Sequence, residues 1–324
     1  MPFASLAGNE RLKKLLRRAV MEGRISQGLI FAGPVGVGKH RFALALAQAV
    51  NCENPKEGDA CGRCPQCLKI AEGEHVDVQT ISPEGQFIKI DQTRKLSSDA
   101  QFRPREGRRR VFILDEAHRL NLNAANSILK TLEEPPSTSL IILVTSKPYA
   151  LIETIRSRCR MLSFAPLSNV ELESFLAANY PRPAEETRLL ARLARGSVGR
   201  ALEIDLGEYR EKRRFIIEIV EAVSVKRDAV KLLNAAEYMS RKLEREEFEK
   251  HLDTLLILLM DVFHLKLGRS TLTNADIPDH LARIAEAMSM ELIIDWVEKI
   301  EALLQSLTRN LNRHVAMDAM LVSL

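Results

Sequence analysis

Two groups of residues in this sequence have types and spacings that do chemistry. The first is Gly33-Pro34-Val35-Gly36-Val37-Gly38-Lys39, which follows a short apolar run at 29–32 and opens a segment, 41–50, with helical apolar spacing. A glycine-rich loop between a strand and a helix lets backbone N–H groups close on phosphate oxygens, and a Lys at its end reaches the β- and γ-phosphates. The helix N-terminus adds the positive end of its dipole. The loop is therefore expected to bind ATP or ADP. One position departs from the pattern: His40 stands where a Ser or Thr hydroxyl would ligate Mg²⁺. Imidazole is a poor ligand for an ion that prefers oxygen, so Mg²⁺ and metal-dependent hydrolysis are disfavoured. Asp115-Glu116 closes a third apolar run, 111–114. In phosphate-loop proteins such an Asp holds the metal and an adjacent Glu can activate water. The letters Asp115-Glu116-Ala117-His118 also match a helicase box, but that class needs a second motor domain and no second phosphate loop is present.

The second group is Cys52, Cys61, Cys64 and Cys67, lying between the helix after the loop and the next strand. Four thiolates so close can surround Zn²⁺ tetrahedrally, a structural site with no open position. Gly62 relieves the tight turn between Cys61 and Cys64. Disulfides or a redox pair are the alternatives, although a redox pair needs only two cysteines. Cys159 is distant in sequence and reads as a packed residue.

The elements that must position these groups alternate in the first half. Apolar runs at 29–32, 76–81, 111–114, 140–145 and 159–164 read as strands, and 41–50 and 123–134 as helices, the latter stopped by Pro135-Pro136. Near-continuous apolar strands separated by helices indicate a parallel sheet covered on both faces. After Pro166 the pattern is helical. Short helices are expected at 169–178, 185–194 and 198–204, and longer ones at 215–223, 229–239, 248–267, 281–288 and 292–307. The expected division is 1–165 for the nucleotide-binding α/β domain with its cysteine insertion at 52–67, 166–208 for a helical lid, and 209–324 for an all-α C-terminal domain.

Bulk properties set limits. The chain has 324 residues, with 47 Lys and Arg against 43 Asp and Glu, a net charge of +4 that does not by itself argue for nucleic acid. No apolar run approaches the roughly 20 residues a membrane span needs, and residues 1–8 lack a signal-peptide core, so a cytoplasmic protein is expected. Five arginines lie between 103 and 110, interrupted by Glu106, with Arg94 and Lys95 just before. They suit at most weak, salt-sensitive contacts to a nucleic-acid backbone, and a solvated charged loop explains them equally well.

Three further segments carry a resemblance. Ile155-Arg156-Ser157-Arg158-Cys159 and Lys130-Thr131-Leu132-Glu133-Glu134-Pro135-Pro136 resemble signatures of clamp-loader AAA+ proteins, and the cysteine insertion after the loop helix is typical of their bacterial branch. Asn310-Leu311-Asn312-Arg313 and the apolar residues after it look like the end of a clamp-loader collar domain. Within that family the degenerate loop at His40, the run from Phe102 to Arg110 and the chain's end at residue 324 resemble the delta-prime type more than the motor type, gamma/tau. The resemblance implies a P-loop (AAA+) domain, lid and oligomerising collar in a ring of five with gamma/tau and delta subunits, which loads a sliding clamp onto primer-template DNA in an ATP-driven reaction. It makes Arg158 an arginine finger reaching a neighbour's ATP, Arg200 a sensor on the lid, and Thr145 or Ser146 the sensor at the end of the fourth strand. A strand-end cap explains Thr145 nearly as well. The rival functions are an active gamma/tau-type ATPase and a non-replicative AAA+ motor.

Overall fold

A computed structural model describes residues 1–225 and 228–307. In chain order the elements are α1 (Glu10–Met21), β1 (Gly28–Ala32), α2 (Lys39–Asn51), α3 (Pro65–Glu72), β2 (Val78–Ile81), α4 (Ile90–Ala100), β3 (Arg110–Leu114), α5 (Leu122–Glu133), β4 (Ser139–Thr145), α6 (Glu153–Arg158) and β5 (Arg160–Ser163). They continue as α7 (Asn169–Asn179), α8 (Ala184–Leu193), α9 (Val198–Glu203), α10 (Leu206–Ser224), α11 (Ala229–Lys242), α12 (Arg245–Lys266), α13 (Pro278–Ala287) and α14 (Met290–Leu307). The described chain divides into two compact units, residues 1–181 with 194–203, and residues 182–193 with 204 onward.

The first unit is built on a five-stranded parallel sheet in the order β2-β3-β4-β1-β5. Every residue of β1, β3 and β4 is buried, as central strands covered on both faces require. Ile30, Phe112, Ile141 and Leu143 pack into a core with Ile128 of α5 and Leu96 of α4. Phe31, Ile113 and Ile142 join Phe42 and Leu46 of α2 in a second core on the opposite face. The order places the C-terminal ends of β1 and β4 side by side, Ala32 against Thr145, and the glycine loop leaves directly from the first of them. In parallel sheets of this kind, ligands collect outside the carboxyl ends of the strands where the winding reverses. Among the described residues, no helix is long and apolar enough to cross a membrane.

The expected strands all form, the second shortened to Val78–Ile81 because a turn from Val78 N–H to the His75 carbonyl precedes it. Four helices occur where no helix was read from the sequence: α1, α3, α4 and α6. In α4 only Thr93, Leu96 and Ala100 are buried, too sparse an apolar stripe to stand out among Ser, Asp, Arg and Lys.

The second unit is helical. Phe248, Leu252, Leu258, Leu259 and Val262 of α12 are wholly buried against Ile216 and Val220 of α10, Ile284 of α13, and Ile293, Trp296 and Ile300 of α14. Helix α8 belongs to this unit, whereas α7 and α9 belong to the first. The collar-like residues 310–313 lie outside the described residues.

Candidate nucleotide site and metal cluster

The glycine loop, the end of β3 and the end of β4 meet around one cavity of about 320 Å³, within the range of small-molecule sites. It is lined by Val35, Gly36, Gly38, Lys39 and His40 from the loop and α2, Asp115, Glu116 and His118 after β3, Thr145 at the end of β4 and Ser146 after it. Arg41, Val144, and Val198, Gly199 and Leu202 of α9 complete it. The loop is held open by positive φ at Gly36 (77°) and Gly38 (90°). A Cβ at Gly36 would lie 2.0 Å from Ser197 Oγ, and Gly199 N–H donates to the Gly36 carbonyl at 3.0 Å. Glycine at 36 is thus required both by φ and by the packing of α9 onto the loop. Gly33 and Pro34 contribute carbonyls rather than lining atoms, and Val37 turns into the core, 2% exposed.

Lys39 is buried, and its Nζ donates to the Gly33 carbonyl at 2.7 Å and the Pro34 carbonyl at 2.6 Å. Burial lowers its pKa, with Asp115 opposing. His40 Nδ1 lies 3.3 Å from Asp115 Oδ2. That proximity is the main cause holding the Asp115 carboxyl below the usual carboxylate range, against the effect of burial. Glu116 has a left-handed backbone, φ 47°, an uncommon state for a residue with a side chain that tends to mark functional turns. Thr145 is buried; its Oγ1 accepts from Lys147 N–H at 3.0 Å and lies 3.3 Å from His118 Nδ1. His118 and Gly199 were not singled out in the sequence. The signal for His118 was in the letters after Asp115, set aside there with the helicase box.

Two other predicted residues stand elsewhere. Arg200 is exposed on α9, beside the lining residues Val198, Gly199 and Leu202 but not itself among them; its N–H donates to Ser197 Oγ at 3.1 Å. Arg158 ends α6, does not line the cavity, and is fixed at the surface. Its Nε and Nη2 meet Glu133 Oε1 at 2.9 and 2.6 Å, and Nη1 donates to the Thr154 carbonyl at 2.9 Å.

The four cysteines converge, with all sulfur atoms within 4.8 Å of one another. A tetrahedron with metal–sulfur bonds of about 2.3 Å has sulfurs roughly 3.8 Å apart, and Cys52 Sγ and Cys64 Sγ are 4.0 Å apart. None is in a disulfide. Cys61 N–H points to Cys52 Sγ at 3.3 Å and Cys64 N–H to Cys61 Sγ at 3.4 Å, donors that favour thiolate. The Arg63 N–H, outweighing burial, brings the Cys61 thiol down to about 6, whereas burial pushes Cys52 and Cys67 up. Three buried sulfurs and one half-buried sulfur in this geometry can hold a metal ion. Cys159 packs under the sheet instead, and burial pushes its thiol up to about 12.

The arginine-rich segment is corrected by the structure. Arg110 is not part of a surface cluster: it is 5% exposed at the start of β3, 3.3 Å from Asp77 Oδ1, and donates to the Asp99 carbonyl at 2.6 Å. Nor is the loop before it a freely solvated run. The N–H groups of Arg105, Glu106 and Gly107 converge on the buried Asp77 carboxylate at 2.8–2.9 Å. Those of Arg108 and Arg109 share Asn51 Oδ1, each at 2.8 Å. Glu106 pairs with Lys69 of α3, tying the loop to the helix that carries Cys67. The side chains of Arg103, Arg105 and Arg108 remain exposed. Burial raises the Asp77 pKa, but the three N–H donors and Arg110 outweigh it, and the net shift is downward. Asp77→Ala leaves Arg110 buried without its partner and is expected to destabilise the fold by about 3–5 kcal/mol, read by denaturant unfolding. Because its folded pKa is depressed, the Asp77 contribution is complete above the unfolded carboxylate range of about 3.9 and is lost as pH falls through the folded value. The difference between wild type and Asp77→Ala should therefore shrink in acid.

Residues 8–168 match the family model described as DNA polymerase III, delta subunit, and residues 209–324 match the one described as DNA polymerase III, delta subunit, C terminal. The chain is 32% identical over 261 residues to DNA polymerase III subunit delta' of Bacillus subtilis (strain 168), covering 80% of this chain and 78% of that protein. It is 29% identical over 305 residues to the delta' subunit of Escherichia coli (strain K12), covering 93% and 89%. DNA polymerase III subunit tau of E. coli is 36% identical over 207 residues, 62% of this chain but 32% of tau. The delta' similarity runs across most of both chains, and this chain belongs to the family of DNA polymerase III delta' subunits.

Proposed function

We propose that the chain acts as a stator-like delta' subunit of a clamp loader, lending Arg158 to the ATP site of a neighbouring subunit rather than running an engine of its own. The observation that carries this is the pairing of two features: His40 in the phosphate loop, and an arginine fixed at the surface outside its own cavity. The other members of the ring would be gamma/tau and delta subunits, the object loaded a sliding clamp, and the site of loading primed DNA. In this reading residues 166–208 form the lid, with Arg200 and Thr145 as sensors, and residues 209–324 form the collar that joins other subunits.

The P-loop cradle keeps the parts that hold phosphates: the N-terminal amides of α2, Lys39 and the two loop glycines at positive φ. ATP or ADP in this cavity supplies a phosphate chain to be gripped, and Lys39 is the side chain placed to meet it. Glu116, which would activate water in a motor, lies 3.5 Å from Arg119 in an ion pair. Zn²⁺ is the ion proposed for Cys52, Cys61, Cys64 and Cys67, since four thiolates in a closed site suit it. Arg103, Arg105 and Arg108 would give weak, salt-sensitive contacts to DNA phosphates.

The test measures nucleotide hydrolysis by the isolated chain and again with gamma/tau and delta partners. Turnover near background alone, with clamp loading on primed DNA restored when the chain joins its partners, is the expected result. Motor-like turnover by the chain alone would overturn the stator reading in favour of a gamma/tau-type ATPase.

A further inference from the structure

A divalent cation does not fit the cavity as it is built. Mg²⁺ needs oxygen ligands at 2.0–2.1 Å in near-octahedral array, and proteins of this type supply a loop hydroxyl and the carboxylate at the end of the third strand. Here the hydroxyl position holds the imidazole of His40, and His40 Nδ1 sits 3.3 Å from Asp115 Oδ2. The other carboxylate oxygen, Oδ1, accepts the Glu116 N–H at 3.0 Å. One oxygen of Asp115 is engaged by the chain's own backbone, and the neighbour facing the other is a nitrogen rather than an oxygen ligand. His40 Nδ1 is buried, and its approach to Asp115 Oδ2 lacks the geometry of a hydrogen bond. The rest of the cradle is intact: Lys39, Glu116, Thr145 and Ser146 all line the same cavity.

We propose that His40 closes the metal position against Asp115, and that the cavity takes a nucleoside di- or triphosphate without a divalent cation, gripped by the loop amides and Lys39. The inference rests on the phosphate-cradle reading of the cavity. It goes further in assigning the loss of the metal to one side chain. With the cation's place filled by a residue of the chain, added Mg²⁺ brings no ligand contact to the site and, by chelating phosphate in solution, competes with the protein. Replacing His40 by a hydroxyl residue vacates the space beside Asp115 and supplies the missing oxygen ligand.

The experiment titrates a fluorescent ADP, mant-ADP, into the full chain in excess Mg²⁺ and in EDTA, for wild type, His40→Thr and His40→Ser. Wild type is expected to bind with the same Kd in both buffers, within about twofold, while both variants bind about tenfold more tightly with Mg²⁺ than without. The proposal is overturned if wild type gains tenfold or more from Mg²⁺, or if both variants stay indifferent to it. Absence of wild-type binding in either buffer also overturns it, and with it the phosphate reading of the cavity. The stator reading would survive that outcome, because the contribution of Arg158 is read separately from the ATPase of the assembled loader. The wild-type comparison decides the first half of the proposal even if a variant fails to fold.

Discussion

Arg158→Ala is expected to lower ATP turnover at the partner site proposed for it by about 10³-fold or more, the scale of a lost trans arginine in well-studied GTPases, while the ring still assembles. The expectation rests on placement. Arg158 is the last residue of α6 and its guanidinium is held by Glu133, the Thr154 carbonyl and Ser157. These acceptors fix its direction before any partner arrives, which lowers the ordering cost of engaging a developing charge. The ion pair with Glu133 is at the surface, side chains 33% and 46% exposed, so it is worth about 0–1 kcal/mol and yields readily to a phosphate. Loss of Arg158 should therefore leave the thermal midpoint of the isolated chain nearly unchanged. Arg158→Lys keeps the charge but not the planar fork, and should recover only part of the rate. Unchanged turnover in the alanine variant, measured in the assembled loader with the partner's site as the readout, would remove Arg158 from the reaction.

Stripping the metal is the second large effect. Purified chain should contain one zinc ion, and Cys67→Ser, a residue with no exposed surface, should lose it. Structural zinc binding in small peptides amounts to about 10–16 kcal/mol, and that energy is folding energy. The buried apolar cluster of the insertion at 52–67 consists of the cysteines and Ala60; its other ties are polar, Asp59 accepting from Phe3 and Ala4 N–H and the Cys67 carbonyl from Gln48. The effect should not stay local. Helix α3 carries Cys67 and also Gln66 and Lys69; Gln66 contacts His75 and the Glu106 carbonyl, and Lys69 pairs with Glu106. Removal of the ion is thus expected to loosen residues 103–109 as well, seen as faster amide exchange there together with a lower thermal midpoint. A metal-free chain with an unchanged midpoint and an unchanged exchange pattern would refute the assignment of the four cysteines.

Much of this site could be read in one dimension because its signals are local. A phosphate loop is seven consecutive residues whose glycines are demanded by φ and close approach, and Gly36 and Gly38 meet that demand at 77° and 90°. The strands of the sheet were legible because burial on both faces forces unbroken apolar runs such as Val111-Phe112-Ile113-Leu114. The four cysteines were legible because a tetrahedral ion can be held by closely spaced thiolates. Helix α4 was not, since its buried positions are few and one of them is Thr93, a residue neither apolar nor helix-favouring.

What the tertiary structure alone decided are the partnerships between distant positions. The spacing of residues 103–110 suggested a charged surface run, yet Asp77 and Asn51 gather five of its backbone N–H groups and take Arg110 into the interior. A carboxylate some thirty residues away leaves no periodic trace in the loop it organises. His40 could be recognised from the chain as a missing hydroxyl. That it lies against Asp115, seventy-five positions further on, follows only from the parallel sheet that sets the ends of β1 and β3 on either side of β4. The sequence determined which chemistry is present and which ligand is lacking; the fold decided what occupies the vacated place, because side-chain identity is local and side-chain contact is not.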